Sequence, residues 1–237
     1  MPLYSPAIRA SWLLYTAPLE GRVVSMYLDK RGFVTCAYGI LLGSPAAAQA
    51  LAWRHLDDAL ATPAEVAAEW RRVNALEPNR LPGYYQRGRY LHLDDQELER
   101  VTLARLDQMA EALAAFWPSF TTWPLYVQAA LLSLAWAVGE GKIEWGLTGP
   151  KWPHLHGSLG RGDWRSCAVE GQLRWQDNPG VRPRDWTVAA LFLRAAGASW
   201  QEACTGWVAG DSAEAAHRAL SPLVAALEAE AAEQEPT

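Results

Sequence analysis

Residues Glu20 to Gly39 read E-G-R-V-V-S-M-Y-L-D-K-R-G-F-V-T-C-A-Y-G, and the rest of the chain is organised around how this stretch folds. Val24, Met26, Phe33 and Tyr38 alternate loosely with polar positions, while Asp29-Lys30-Arg31-Gly32 gathers turn-forming residues. An alternating run broken by such a cluster predicts a β-hairpin. Glu20 stands just before the hairpin, Asp29 at its turn and Thr35 on its return strand. Two carboxylates so placed can flank one site. Splitting a glycosidic bond needs such a pair, because one carboxyl protonates the leaving oxygen while the other supports the attacking water or nucleophile. Taken alone, a Glu and an Asp near a turn are ordinary surface charges.

The wider pattern is more specific. Glu20, Gly21, Tyr27, Asp29, Gly32, Thr35 and Gly39 follow E-G-x5-Y-x-D-x2-G-x2-T-x3-G. This resembles the active-site segment of phage-type lysozymes, peptidoglycan muramidases with a Glu/Asp/Thr constellation. Two positions depart from the family: Ala37 stands where a glycine is usual, and Ile40 where a histidine is usual. The resemblance continues in V-Q-A-A-L-L-S-L-A-W-A-V-G-E-G, with Trp136 and Gly139 at the places of a family aromatic residue and glycine. It goes on through the Trp152 to Trp164 spacing, then D-W-R-S-C-A-V-E-G and R-W-Q-D-N-P-G-V-R-P-R.

The resemblance implies an α+β fold, predominantly helical, with a small β-hairpin lobe, a helical lobe and a cleft between them. It implies hydrolysis of the β-1,4 bond between N-acetylmuramic acid and N-acetylglucosamine. Glu20 would be the general acid, with Asp29 and Thr35 holding the water. The reaction would be inverting, which calls for carboxyls about 6.5–9.5 Å apart. Leu41, Trp136 and Trp152 would contact the glycan. Arg184, with Arg182 as its rival, would pair with the catalytic glutamate and tune the proton donor. No cofactor is implied. Two alternatives stay open: a catalytically silent glycan-binding relative, supported by Pro18 close to Glu20, and a glycosidase acting on chitosan or chitin.

Composition sets the outer bounds. The 237 residues suit one or two domains, and half are apolar while a fifth are charged, an ordinary globular balance. Thirteen tryptophans are unusual and compatible with sugar stacking, although most are expected to be core. A net charge of −5 supplies no basic footprint for nucleic acid or anionic membrane, and is a poor match to an anionic wall polymer. Cys36, Cys167 and Cys204 are too few and too scattered for a disulfide framework, and their spacing suggests no metal site. The N-terminal residues lack the pattern of a signal peptide. Leu125 to Val138 is apolar but too short to span a bilayer, so it is expected to be a buried helix. Membrane insertion is therefore not expected. A wall-acting enzyme of this kind would be made in the cytoplasm and exported by phage or secretion machinery, as an endolysin or an antibacterial effector.

The chain is expected to form a single domain, 1–237, in four stretches: 7–42, carrying the catalytic helix and hairpin; 43–119, a helical insertion; 120–197, the helical lobe; and 198–237, a helical extension. Residues 43–119 and 198–237 are the natural places for a delivery or immunity partner. Ser5-Pro6 predicts a helix start and Pro18 a kink before Glu20. Ala46 to Leu60 reads as an alanine-rich helix, and Thr62-Pro63-Ala64-Glu65 as a capping box. Asp94 is expected to cap the next helix, with Glu97 reaching back. His154 and His156 are expected in solvated loop, Trp186 to Ala196 and Trp200 to Val208 in helices, and Glu228 to Thr237 in a frayed acidic tail.

Overall fold

The computed structural model describes residues 3–87, 90–141, 146–173, 179–206 and 210–234. The fold is α+β and mostly helical, with one small antiparallel sheet. Two compact units divide the chain: Met1–Leu19 with Leu106–Thr237, and Glu20–Arg105.

Helix α1 (Pro6–Glu20) begins as its sequence predicts. Proline at the first helical position brings a preset φ, and Ser5 Oγ accepts the Ala7 amide at 3.1 Å. Ile8, Trp12 and Tyr15 form its buried stripe. The helix does not restart at Pro18: α1 runs through it to Glu20 as one helix. In the last turn a proline frees only the carbonyl four residues back, that of Leu14, which is an exposed residue and can bond water. Gly21, at φ +75°, ends the helix in the left-handed conformation that glycine enters without a β-carbon penalty.

The unit Glu20–Arg105 is built on strands β1 (Val23–Leu28), β2 (Val34–Ala37) and β3 (Ile40–Leu41), in the order β1-β2-β3. Tyr27 pairs with Thr35 and Leu28 with Val34; Thr35 pairs with Leu41 and Cys36 with Ile40. Met26, Leu28, Val34, Cys36 and Leu42 are buried. Helices α2 (Pro45–Gln49), α3 (Pro63–Asn74) and α4 (Pro82–Tyr85) follow, and α3 and α4 pack on β1. Ser44 caps α2, and Thr62 and Glu65 form the expected capping box of α3.

The helix expected over Ala46 to Leu60 stops at Gln49. Beyond it the chain reverses in a turn over 55–59 flanked by isolated bridges: Arg54 bridges Leu60 and His92, and exchanges both backbone hydrogen bonds with His92, at 2.8 and 2.9 Å. Sheet pairing and the burial of Trp53 override alanine's helix propensity here. Helix α5 (Asp95–Phe116) is capped by Asp94, whose Oδ1 accepts the Glu97 amide at 2.8 Å. Glu97 does not reach back to the cap. Its buried carboxylate instead accepts the Ala52 amide at 2.8 Å and a bidentate Arg100.

In the other unit, α6 (Leu125–Val138) is buried along nearly all its length, as its composition predicts. Helices α7 (Pro153–Arg161), α8 (Trp164–Glu170), α9 (Arg182–Ala195), α10 (Trp200–Ala203) and α11 (Asp211–Gln234) complete it, with α9 packed against α6, α8, α10 and α11. Three expectations are corrected here. Helix α9 starts at Arg182 rather than at the expected Trp186, so Arg182 and Arg184 lie in its first turn. His154 and His156 belong to α7, and His156 sits half-buried between Phe116 and Trp117 with Nε2 2.8 Å from the Leu147 carbonyl. The acidic tail is helical to Gln234, and Glu228 accepts the Trp200 indole N–H at 2.8 Å. The expected helix from Trp200 is only the short α10; residues 207 and 208 lie outside the described residues, as do 174–178 and 235–237.

Candidate active site

Strand alternation places side chains two residues apart, and directly opposed cross-strand partners, on one face. Tyr27, Thr35 and Leu41 therefore share a face of the sheet. Asp29 follows Tyr27 by two residues and continues the ladder, its amide bonding the Phe33 carbonyl at 3.0 Å. The opposite face, of Leu28, Val34, Cys36 and Leu42, is core. Leu41 is 57% exposed and Phe33 51% exposed. They leave apolar surface beside the polar groups.

Asp29 Oδ1 accepts two backbone amides, from Arg31 at 2.8 Å and Phe33 at 2.9 Å, and so closes its own turn. Among the described residues nothing bonds Oδ2. Thr35 is almost fully buried, and its hydroxyl donates to the Phe33 carbonyl at 3.0 Å, which leaves Oγ1 as an acceptor. Glu20 is exposed at the end of α1. Its Oε2 lies 3.5 Å from the point a β-carbon on Gly39 would occupy, in the turn between β2 and β3. Gly39 has φ +86° and Ala37 φ +53°, so both ends of that turn are left-handed. Ala37 thus holds a conformation that glycine favours.

Burial, followed by the charges of Glu20, Cys36 and Asp29, pushes the Tyr27 pKa up to about 12. The same phenol therefore feels both carboxylates. Tyr27 served the sequence reading only as a register marker, although its spacing of two from Asp29 on a strand already put the two side chains together.

One unit thus gathers Glu20, Asp29, Thr35 and Leu41. Trp136, Trp152 and Arg184 belong to the other. Trp136 is half-buried with its ring 5.6 Å from that of buried Trp12. Trp152 is half-buried and precedes α7, its carbonyl accepting the His156 amide at 2.9 Å. Arg184 is buried, and its Nη1 donates to Ser133 O and Oγ, each at 2.9 Å. Ser133 Oγ also accepts the Tyr15 hydroxyl at 2.6 Å, so the guanidinium is tied into a polar network joining α1, α6 and α9. Arg182 lies over the Trp186 ring at 4.9 Å.

Among the described residues no group of His, Cys, Asp and Glu could hold a metal ion, and no helix is long and apolar enough to cross a membrane. No protein-family model, curated protein or solved structure matches the chain.

Proposed function

We propose that the chain is a peptidoglycan muramidase, an inverting glycoside hydrolase with a lysozyme-like fold, acting on the bacterial cell wall. The observation that carries this reading is the register of the hairpin: it sets Asp29, Thr35 and Leu41 on one face, with the Glu20 carboxylate against the Gly39 turn of the same hairpin. Glu20 protonates the glycosidic oxygen. Asp29, through Oδ2, takes a proton from the attacking water, and Thr35 Oγ1 accepts the other. Leu41 offers apolar surface to a sugar ring. The left-handed backbone at Ala37 adds support, since the turn takes a glycine-type conformation even without the glycine. A silent glycan-binding relative rested on displacement of Glu20 by Pro18, and α1 continues unbroken to Glu20.

The test is dye release from labelled cell walls, set beside chitosan hydrolysis, for the wild type and Glu20→Gln. Wall hydrolysis that falls by roughly a hundred- to ten-thousand-fold in a normally folded variant is expected for loss of the proton donor. Retention of activity within about tenfold would sink the assignment. Chitosan cleavage without wall cleavage would move the substrate to another amino-sugar polymer.

A further inference from the structure

The hairpin face carries one polar group that this reaction leaves unused. Tyr27 stands opposite Thr35 across the ladder and two residues before Asp29. Its ring is half-buried, and among the described residues nothing hydrogen-bonds its hydroxyl. With its pKa pushed up to about 12, the hydroxyl is a neutral donor throughout the range in which a hydrolase works.

The hydrogen-bond valence of the attacking water shows where a further ligand fits. Water offers two protons and two lone pairs. Asp29 Oδ1 is occupied by the Arg31 and Phe33 amides, so Oδ2 is left for one proton. The Thr35 hydroxyl proton is committed to the Phe33 carbonyl, so Oγ1 accepts the second. One lone pair attacks the anomeric carbon. The other is free to accept a donor, and neither an ionised Asp29 nor Thr35 has one to give.

We propose that Tyr27 donates its hydroxyl to the attacking water as a third ligand, fixing the free lone pair toward the sugar. This rests on the muramidase reading. The step balances without a further reactant: the water oxygen bonds the anomeric carbon as the glycosidic bond breaks, Glu20 gives its proton to the leaving oxygen, Asp29 receives one from the water, and Tyr27 keeps its own.

Tyr27→Phe removes one oxygen and keeps the ring. Wall-hydrolysis kinetics should show kcat lowered by roughly ten- to a hundredfold, as for a misplaced nucleophile, with KM unchanged. In the Glu20→Gln background, affinity for a GlcNAc–MurNAc tetrasaccharide should be the same with Tyr or Phe at position 27. An unchanged kcat overturns the proposal, and so does a loss of affinity with kcat preserved, which would make Tyr27 a sugar contact. A role confined to packing would lower the melting temperature and leave kcat of the folded fraction intact, which also overturns it. Failure of the muramidase reading looks different: the wild type would then not hydrolyse walls at all, or Glu20→Gln would hydrolyse them as fast as the wild type.

Discussion

Glu230 accepts the backbone N–H of Ala7 at 2.9 Å and the hydroxyl of Ser5, joining the last helix to the first turn of α1 across more than two hundred positions of chain. A carboxylate at a helix N-terminus satisfies an orphan amide and meets the positive end of the helix dipole. The C-terminal extension is therefore part of how the Glu20-bearing helix starts. Glu230→Ala should lower stability by about 1 kcal/mol, the usual cost of a lost cap, and Glu230→Gln by less, since the amide oxygen still accepts. Urea unfolding of the two variants measures this. Equal stability of wild type and Glu230→Ala would show that the contact contributes nothing.

Asp29 has two separable duties. Asn at 29 can accept the Arg31 and Phe33 amides through its own Oδ1, whereas Ala cannot. Asp29→Asn should keep the melting temperature and lose hydrolysis by about a hundredfold or more. Asp29→Ala should lose activity and also about 1 kcal/mol or more of stability, because the turn amides go unpaired. An active Asp29→Asn variant would reduce Asp29 to a turn residue.

Gly39 and Gly197 make a matched pair. Both have positive φ, +86° and +88°, so an alanine at either costs roughly 1–2 kcal/mol of backbone strain. A β-carbon at 39 would touch Glu20 Oε2 at 3.5 Å, while one at 197 would meet nothing within 4 Å. Similar melting losses are expected, with hydrolysis impaired only in Gly39→Ala. If both folded variants hydrolyse walls equally well, the Glu20 carboxylate does not depend on that turn.

Asp185 should give the protein a measurable pH dependence. It is buried, with Oδ1 accepting the Leu173 amide at 2.7 Å and Oδ2 unpaired. Burial pushes its pKa up to about 7, against the lowering effects of that amide and of Arg184. An unfolded aspartate has a pKa near 3.9, so between about pH 4 and 7 the native state holds a proton that the unfolded state has lost. Stability from this group is present below pH 4 and is lost as pH rises through 7. Asp185→Asn keeps the amide acceptor and removes the titration. Its melting temperature should fall less between pH 5 and 8 than that of the wild type, and equal slopes would assign the titration elsewhere.

The local sequence determined what depends on neighbours in the chain. Ser5-Pro6, Thr62 with Glu65, and Asp94 mark helix starts by satisfying or releasing nearby backbone groups, and all three are found where the sequence places them. The turn chemistry of Asp29 to Gly32 and the alternation around it likewise made the hairpin legible, and with it the grouping of Asp29, Thr35 and Leu41. Tertiary structure decided what depends on distant partners. Ala46 to Leu60 has the composition of a helix, yet beyond Gln49 isolated bridges from Arg54 to His92 and Leu60 take its place. Glu97 has capping-box spacing, yet the Ala52 amide and Arg100 offer its buried carboxylate better-matched partners. Glu228 and Glu230 read as solvated tail until Trp200 and the start of α1 supply donors. A hydrogen bond or a buried face is worth more than a few tenths of a kcal/mol of propensity, and no local pattern records which distant group will supply it.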